Sequence, residues 1–134
     1  MRVSVFIVLI LVIAGCAPRY RDGYRETGMA SWYGPGFHGK KTSNGETYDM
    51  HGQTAAHRTL PFGTRLRVTD IESGRDVEVR VNDRGPFISG RILDLSHGAA
   101  QALGTIGKGV TRVRIEVIEL GLTDHQGIFW IQVG

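Results

Sequence analysis

The sequence predicts a small, mainly β domain over residues 28–120, about six short strands closed into a barrel with one short helix. Three observations carry that prediction. Glycine accounts for 19 of 134 residues, well above the average usage of ~7%, without a collagen-like period. Such a chain favours turns and strands, because glycine is weak inside helices and useful at positive φ. Residues 64–81 and 110–117 alternate apolar and charged side chains with the period of a half-buried strand. Only residues 96–103 combine a capping residue, an inward small-apolar face and a glycine stop, the signature of a short helix.

The elements follow in order. Ala17 to Thr27 is polar, holds three Arg and two Tyr, and reads as a linker. Met29-Ala-Ser-Trp-Tyr33 reads as a short strand ended by Gly34-Pro35-Gly36. Leu66 and Val68 alternate with charges, Glu72-Ser-Gly-Arg75 makes a turn, and Val77, Val79 and Val81 alternate again, so 64–81 is a hairpin with one buried face. Arg91 to Leu95 is a further strand. Ser96 caps a helix through Leu103, with Ala99, Ala100 and Leu103 inward and Gly104 as its stop. The last strand sets Val113, Ile115 and Val117 against Arg112, Arg114 and Glu116.

Composition narrows the function classes. At 41% hydrophobic and 22% charged the chain is globular, and its length suits one domain. A net charge of +3 suits an anionic polymer or an envelope surface, but there is no basic cluster of the kind nucleic acid requires. One cysteine excludes an internal disulfide and a cysteine-based zinc cluster. Residues 1–15 lie outside the fold. Val3 to Ile13 is apolar apart from Ser4 and too short for a bilayer, which needs about 20 residues, so it reads as the core of a signal peptide. Ile13-Ala14-Gly15-Cys16 resembles a bacterial lipobox, with cleavage before Cys16 and lipidation of its sulfur. Ala17 in place of an acidic residue then favours the outer membrane, facing the periplasm, over the inner membrane.

Residues that bear chemistry sit at the strand ends. Four segments stand out beside Ala30-Ser-Trp-Tyr-Gly34: Gly45-Glu-Thr-Tyr-Asp49, residues 54–64 around His57, Val81-Asn-Asp-Arg-Gly-Pro86, and Gly90-Arg-Ile-Leu-Asp-Leu-Ser96. Together, in this order and behind a lipobox, they resemble the rare lipoprotein A family of septal-ring lytic transglycosylases. The resemblance covers residues 28 to 120. It implies a double-psi β-barrel, six strands with two interlocked crossings, related to expansin barrels. It also implies cleavage of peptidoglycan glycan strands by internal transglycosylation at the bond between N-acetylmuramic acid and N-acetylglucosamine, leaving 1,6-anhydro ends. The family's catalytic Asp matches Asp83, and its supporting Glu and His match Glu46 and His57; no cofactor, metal or nucleic acid is implied.

The residues themselves leave alternatives open. Glycosidic cleavage needs an acid for the leaving oxygen and a group to stabilise an oxocarbenium-like centre. Asp83 precedes a Gly-Pro turn and can project into a groove, or simply organise an Asx-type turn. If Glu46 and Asp83 share one site, repulsion raises one pKa; Arg84 and a charged His57 oppose that. The same pair can equally serve as the two carboxyls of an ordinary glycosidase. His57 can be a packed core histidine, and Asp94 a structural partner of Arg84 or Arg91. Trp32 and Tyr33 are candidates to line the groove, with Arg84 and Asp94 as further substrate contacts. Rival readings are a non-catalytic, expansin-like glycan-binding module, and a metal hydrolase using some of His38, His51, His57, His97 and His125, none of them at ligand spacing. Residues 121–134 resemble the opening strand of a SPOR domain and leave division-site association open.

Overall fold

The computed structural model describes residues 20–122. They form six strands and one α-helix, with a single 3-10 turn at Pro35–Phe37: β1 (Arg25–Trp32), β2 (Thr54–Ala56), β3 (Arg65–Asp70), β4 (Asp76–Asp83), β5 (Arg91–Leu95), α1 (His97–Leu103) and β6 (Thr111–Glu119). The strands close in the order β1-β5-β2-β4-β3-β6. The pairs β1–β5 and β2–β4 run parallel. A tight hairpin cannot join parallel strands, so the chain crosses the barrel twice, as the resemblance implies.

The predicted hairpin forms with Leu66 opposite Val79 and Val68 opposite Val77. These side chains, with Val81, Leu93, Leu95, Val113, Ile115 and Val117, fill a core from which water is almost wholly excluded. Burying each such side chain is worth about 1.5–3 kcal/mol. The α1 boundaries are as predicted: Ser96 Oγ accepts the Ala99 N–H, and Gly104 ends the helix at φ 79°, where a side chain is disfavoured.

Two elements differ from the sequence reading. β1 begins at Arg25, inside the segment read as linker, and Tyr20 and Tyr24 already pack on the core. The inward residues of its first half are Glu26, Gly28 and Ala30, paired with Ile115, Val113 and Thr111. None gives an apolar alternation: Glu26 faces His57, and a Cβ on Gly28 would stand 2.7 Å from Ile92. The second is β2. Three residues are too few for a period, and Ala55 and Ala56 are both buried, so no alternation exists to detect. Residues 1–15, read as a signal peptide, together with Cys16 and nearly all of the tail, lie outside the described residues.

Candidate active site

Register places a row of side chains on the outer wall of the barrel. Ser31 of β1 pairs with Asp94 of β5, Asp94 with Ala56 of β2, and Ala56 with Asp83 of β4. The inward row beside it is Ala55, Leu95 and Val81, all core. Strands lie about 4.8 Å apart, so roughly 10 Å separates the backbones of Asp83 and Asp94, with the Ala56 methyl between.

Asp83, the last residue of β4, is the best-held carboxylate of this row. Its Oδ1 accepts from Ser43 Oγ at 2.6 Å, Ser43 N at 2.9 Å and Arg84 N at 2.8 Å. Its Oδ2 accepts from the Tyr33 hydroxyl at 2.8 Å. Burial, the largest single influence, pushes its pKa up, but these hydrogen bonds together outweigh it and hold the pKa below the usual value. The same contact, after burial, raises the Tyr33 phenol. Asp83 is therefore a carboxylate at neutral pH in the free protein.

Glu46 stands on the loop that carries Ser43. Arg80 Nη1 and Nη2 grip its two oxygens at 2.6 and 2.8 Å, and Asn44 and Asn82 add further donors. The Arg80 fork chiefly lowers its pKa, to about 2, against burial that raises it. Neither carboxylate has a raised pKa. Of the two opposing influences the sequence left open, the one favouring charge prevails at both carboxylates, because each is surrounded by donors before it meets the other. An open cavity of about 430 Å³, lined by Ser43, Asn44, Glu46, Phe62, Gly63 and Arg80, joins the Glu46 loop to the Asp83 neighbourhood through Ser43.

His57 is 3% exposed. Its Nδ1 accepts the N–H groups of Thr59 and Leu60, both at 3.1 Å, which leaves Nε2 to donate to Glu26 at 3.2 Å. Its ring thus ties the 57–60 turn to β1, and only its backbone N–H reaches the Asp83 carbonyl, at 3.2 Å. Arg84 braces the same turn, donating to the carbonyls of His57 at 3.2 Å and Leu60 at 2.8 Å with its guanidinium 3.8 Å over the Phe62 ring. Expected as a substrate contact, Arg84 is built into the wall.

Asp94 pairs with Arg91 and Ser31, not Arg84. Tyr33 joins the site, but Trp32 does not join it there: paired with inward Leu95, it packs on the core and edge-on to His97 at 5.4 Å. Trp32 at the end of β1 and Tyr33 just past it thus send their side chains to different partners, the core and Asp83. An exposed aromatic flanks Tyr33 instead, Phe37 at 5.6 Å from its ring and 50% exposed, and Phe87, 81% exposed, stands on the loop four residues after Asp83. The sequence reading did not single out Ser43, although Thr42-Ser-Asn-Gly45 is a polar turn string leading directly to Glu46.

Comparison with known proteins bears on what this arrangement does. A family model described as lytic transglycolase matches residues 25–115. The endolytic peptidoglycan transglycosylase RlpA of Campylobacter jejuni is 60% identical over 99 residues, covering 74% of this chain and 36% of that protein. The RlpA protein of the same description from Vibrio cholerae is 56% identical over 96 residues, covering 72% of this chain and 36% of that protein. The chain thus spans little more than a third of the length of these relatives. Among solved structures, the Streptomyces papain inhibitor aligns with a TM-score of 0.61 at 21% identity, covering 73% of this chain and 97% of that one. Apo expansin of Clavibacter michiganensis aligns at 0.58 and 24% identity, covering 72% and 51%. These two likenesses concern the fold alone.

Proposed function

The chain belongs to the lytic transglycolase family, and from that premise we propose that it is an endolytic peptidoglycan transglycosylase. The observation that carries this reading is Asp83, a partly buried carboxylate at a strand end, fixed by donors on both oxygens. A glycan lying over Asp83 adds to the burial that already opposes its charge, so the bound carboxyl takes up a proton. That proton passes to the oxygen linking N-acetylmuramic acid to N-acetylglucosamine. The C1–O bond breaks, and the bonding electrons leave with the glucosamine. Tyr33 stays donated to the carboxylate so formed. Asp83 then accepts the proton of the muramic 6-hydroxyl as its oxygen bonds to C1, closing the 1,6-anhydro ring. One carboxyl acts in both halves, and the held geometry lets the internal hydroxyl compete with water.

Mass analysis of purified, peptide-stripped glycan strands after digestion is the test. The expected products end in 1,6-anhydro-N-acetylmuramic acid, lighter by one water than hydrolytic products and without a reducing end. Reducing ends that carry oxygen from labelled water would make the protein a hydrolase. Tight binding without product would instead favour the glycan-binding module.

We also propose that Cys16 carries a lipid that holds the domain to the envelope, facing the periplasm from the outer membrane. The reading rests on Ile13-Ala14-Gly15-Cys16 and on Ala17. Cys16→Ser is expected to leave the membrane fraction, because acyl chains at this residue supply the anchoring. Normal processing and unchanged outer-membrane fractionation of that variant would remove the lipid from the account.

A further inference from the structure

We propose that the outward face of the β1-β6-β3 sheet is a docking surface for acidic phospholipid headgroups. This inference stands on charge and position and does not depend on the cleavage chemistry. Register puts Arg25, Arg65, Arg67, Arg112 and Arg114 on this face, with Glu116 between Arg25 and Arg67 and Glu119 paired with Arg65. Arg25 and Glu116 pair at 2.6 Å. Arg67, Arg112 and Arg114 are exposed, and among the described residues no side-chain hydrogen bond or ion pair engages them. Arg112 and Arg114 project side by side from β6, and Arg67 lies diagonally across from Arg114. Three guanidinium groups thus share one face without an ion-pair partner of their own, with Glu116 and Glu78 opposite Arg67 engaged by Arg25 and Arg65.

The choice of a lipid surface over a soluble polyanion comes from the neighbouring apolar side chains. Val110 and Ile71 are 47% and 44% exposed at the end of the same face. Ile71 N donates to the Arg112 carbonyl at 3.0 Å, which sets it beside the basic row. Apolar tips next to guanidinium groups suit the headgroup boundary, where the former leave water and the latter meet phosphate. A polyanion in water gives Val110 and Ile71 nothing. The barrel order adds the second argument. β3 and β6 lie across the barrel from β5 and β2, whose outer wall bears Asp94 and Ala56 next to Asp83. A barrel lying on its basic face turns that wall away from the membrane.

Sedimentation with lipid vesicles decides the matter. The full chain carrying Cys16→Ser is used throughout, so acylation plays no part and the shared N-terminal segment cancels between variants. Vesicles are phosphatidylcholine alone or with about a third phosphatidylglycerol. Each arginine at an acidic surface contributes about fivefold in partition. Arg112→Gln/Arg114→Gln is therefore expected to bind the acidic vesicles about 25-fold more weakly, with an unchanged melting temperature. Lys40→Gln/Lys41→Gln removes the same charge from the loop beside Phe37 and is expected to bind as the parent does. Binding to acidic vesicles should also fall as salt shortens the screening length. Equal partition into both vesicle types, unchanged binding by the arginine pair, or equal loss in both pairs would each overturn the proposal. So would capture by soluble DNA or dextran sulfate without capture by vesicles. Absence of anhydro products would strike the cleavage reading and leave this result standing.

Discussion

Asp83→Asn is expected to fold as the wild type does and to lose glycan cleavage by about 10²–10⁴-fold in kcat, the usual cost of removing a general acid. The substitution is nearly isosteric. An amide oxygen in the Oδ1 position still accepts from Ser43 N, Ser43 Oγ and Arg84 N, the contacts that organise the end of β4. The amide nitrogen meets the Tyr33 hydroxyl, which can turn to accept instead of donate. What disappears is a group able to bind a proton and return it. Melting temperature, measured beside product formation, separates this from a collapsed strand end. Turnover near that of the wild type in a folded variant would take Asp83 out of the chemistry and leave Asp94, across Ala56, as the carboxyl to test next.

How much of this was legible in the sequence depended on how each residue earns its place. Strands β3, β4 and β6 alternate against one core, so their apolar faces announce them, and β5 is legible as a short apolar run broken by Asp94. Helix α1 was legible to its caps, because Ser96 and Gly104 act within their own turn. The start of β1 was hidden because its inward positions are filled by Glu26, whose partner His57 lies 31 residues away, and by Gly28, which makes room for Ile92. The site shows the same division. Asp83 and Glu46 were visible as carboxylates at turns. Their proton affinities were not, since these depend on Ser43 reaching 40 residues to Asp83 and on Arg80 reaching 34 residues to Glu46. The roles of Trp32 and Arg84 also turned on long-range geometry: strand parity sent Trp32 inward, and the 57–60 carbonyls took the Arg84 guanidinium.

The donors around Asp83 lead to the second large effect, on the pH profile. In the free protein its pKa lies below the usual carboxylate value, so at neutral pH only a small fraction carries the proton that the leaving oxygen needs. The sign follows directly. Protonated Asp83 grows tenfold for each unit by which pH falls toward that pKa, so kcat/KM on glycan strands is expected to rise about tenfold per unit from pH 8 to pH 5. Lower pH is unsuitable, since Glu46 and Asp70, each held at about 2, lose their ionised contacts as pH falls from their ordinary values toward that point and take folding stability with them. Tyr33→Phe and Ser43→Ala each remove one donor while the Ser43 and Arg84 N–H groups remain. The combined variant should carry a more basic Asp83 than the wild type, because two of the bonds that favour its charged form are gone, so its profile bends toward a plateau at higher pH. The position of the bend is the readout, because the height also reflects any contact of Tyr33 with the sugar. A wild-type profile flat from pH 5 to pH 8 would make Asp83 a base or charge stabiliser and not the acid. A bend that stays in place in the combined variant would assign the titration to another group.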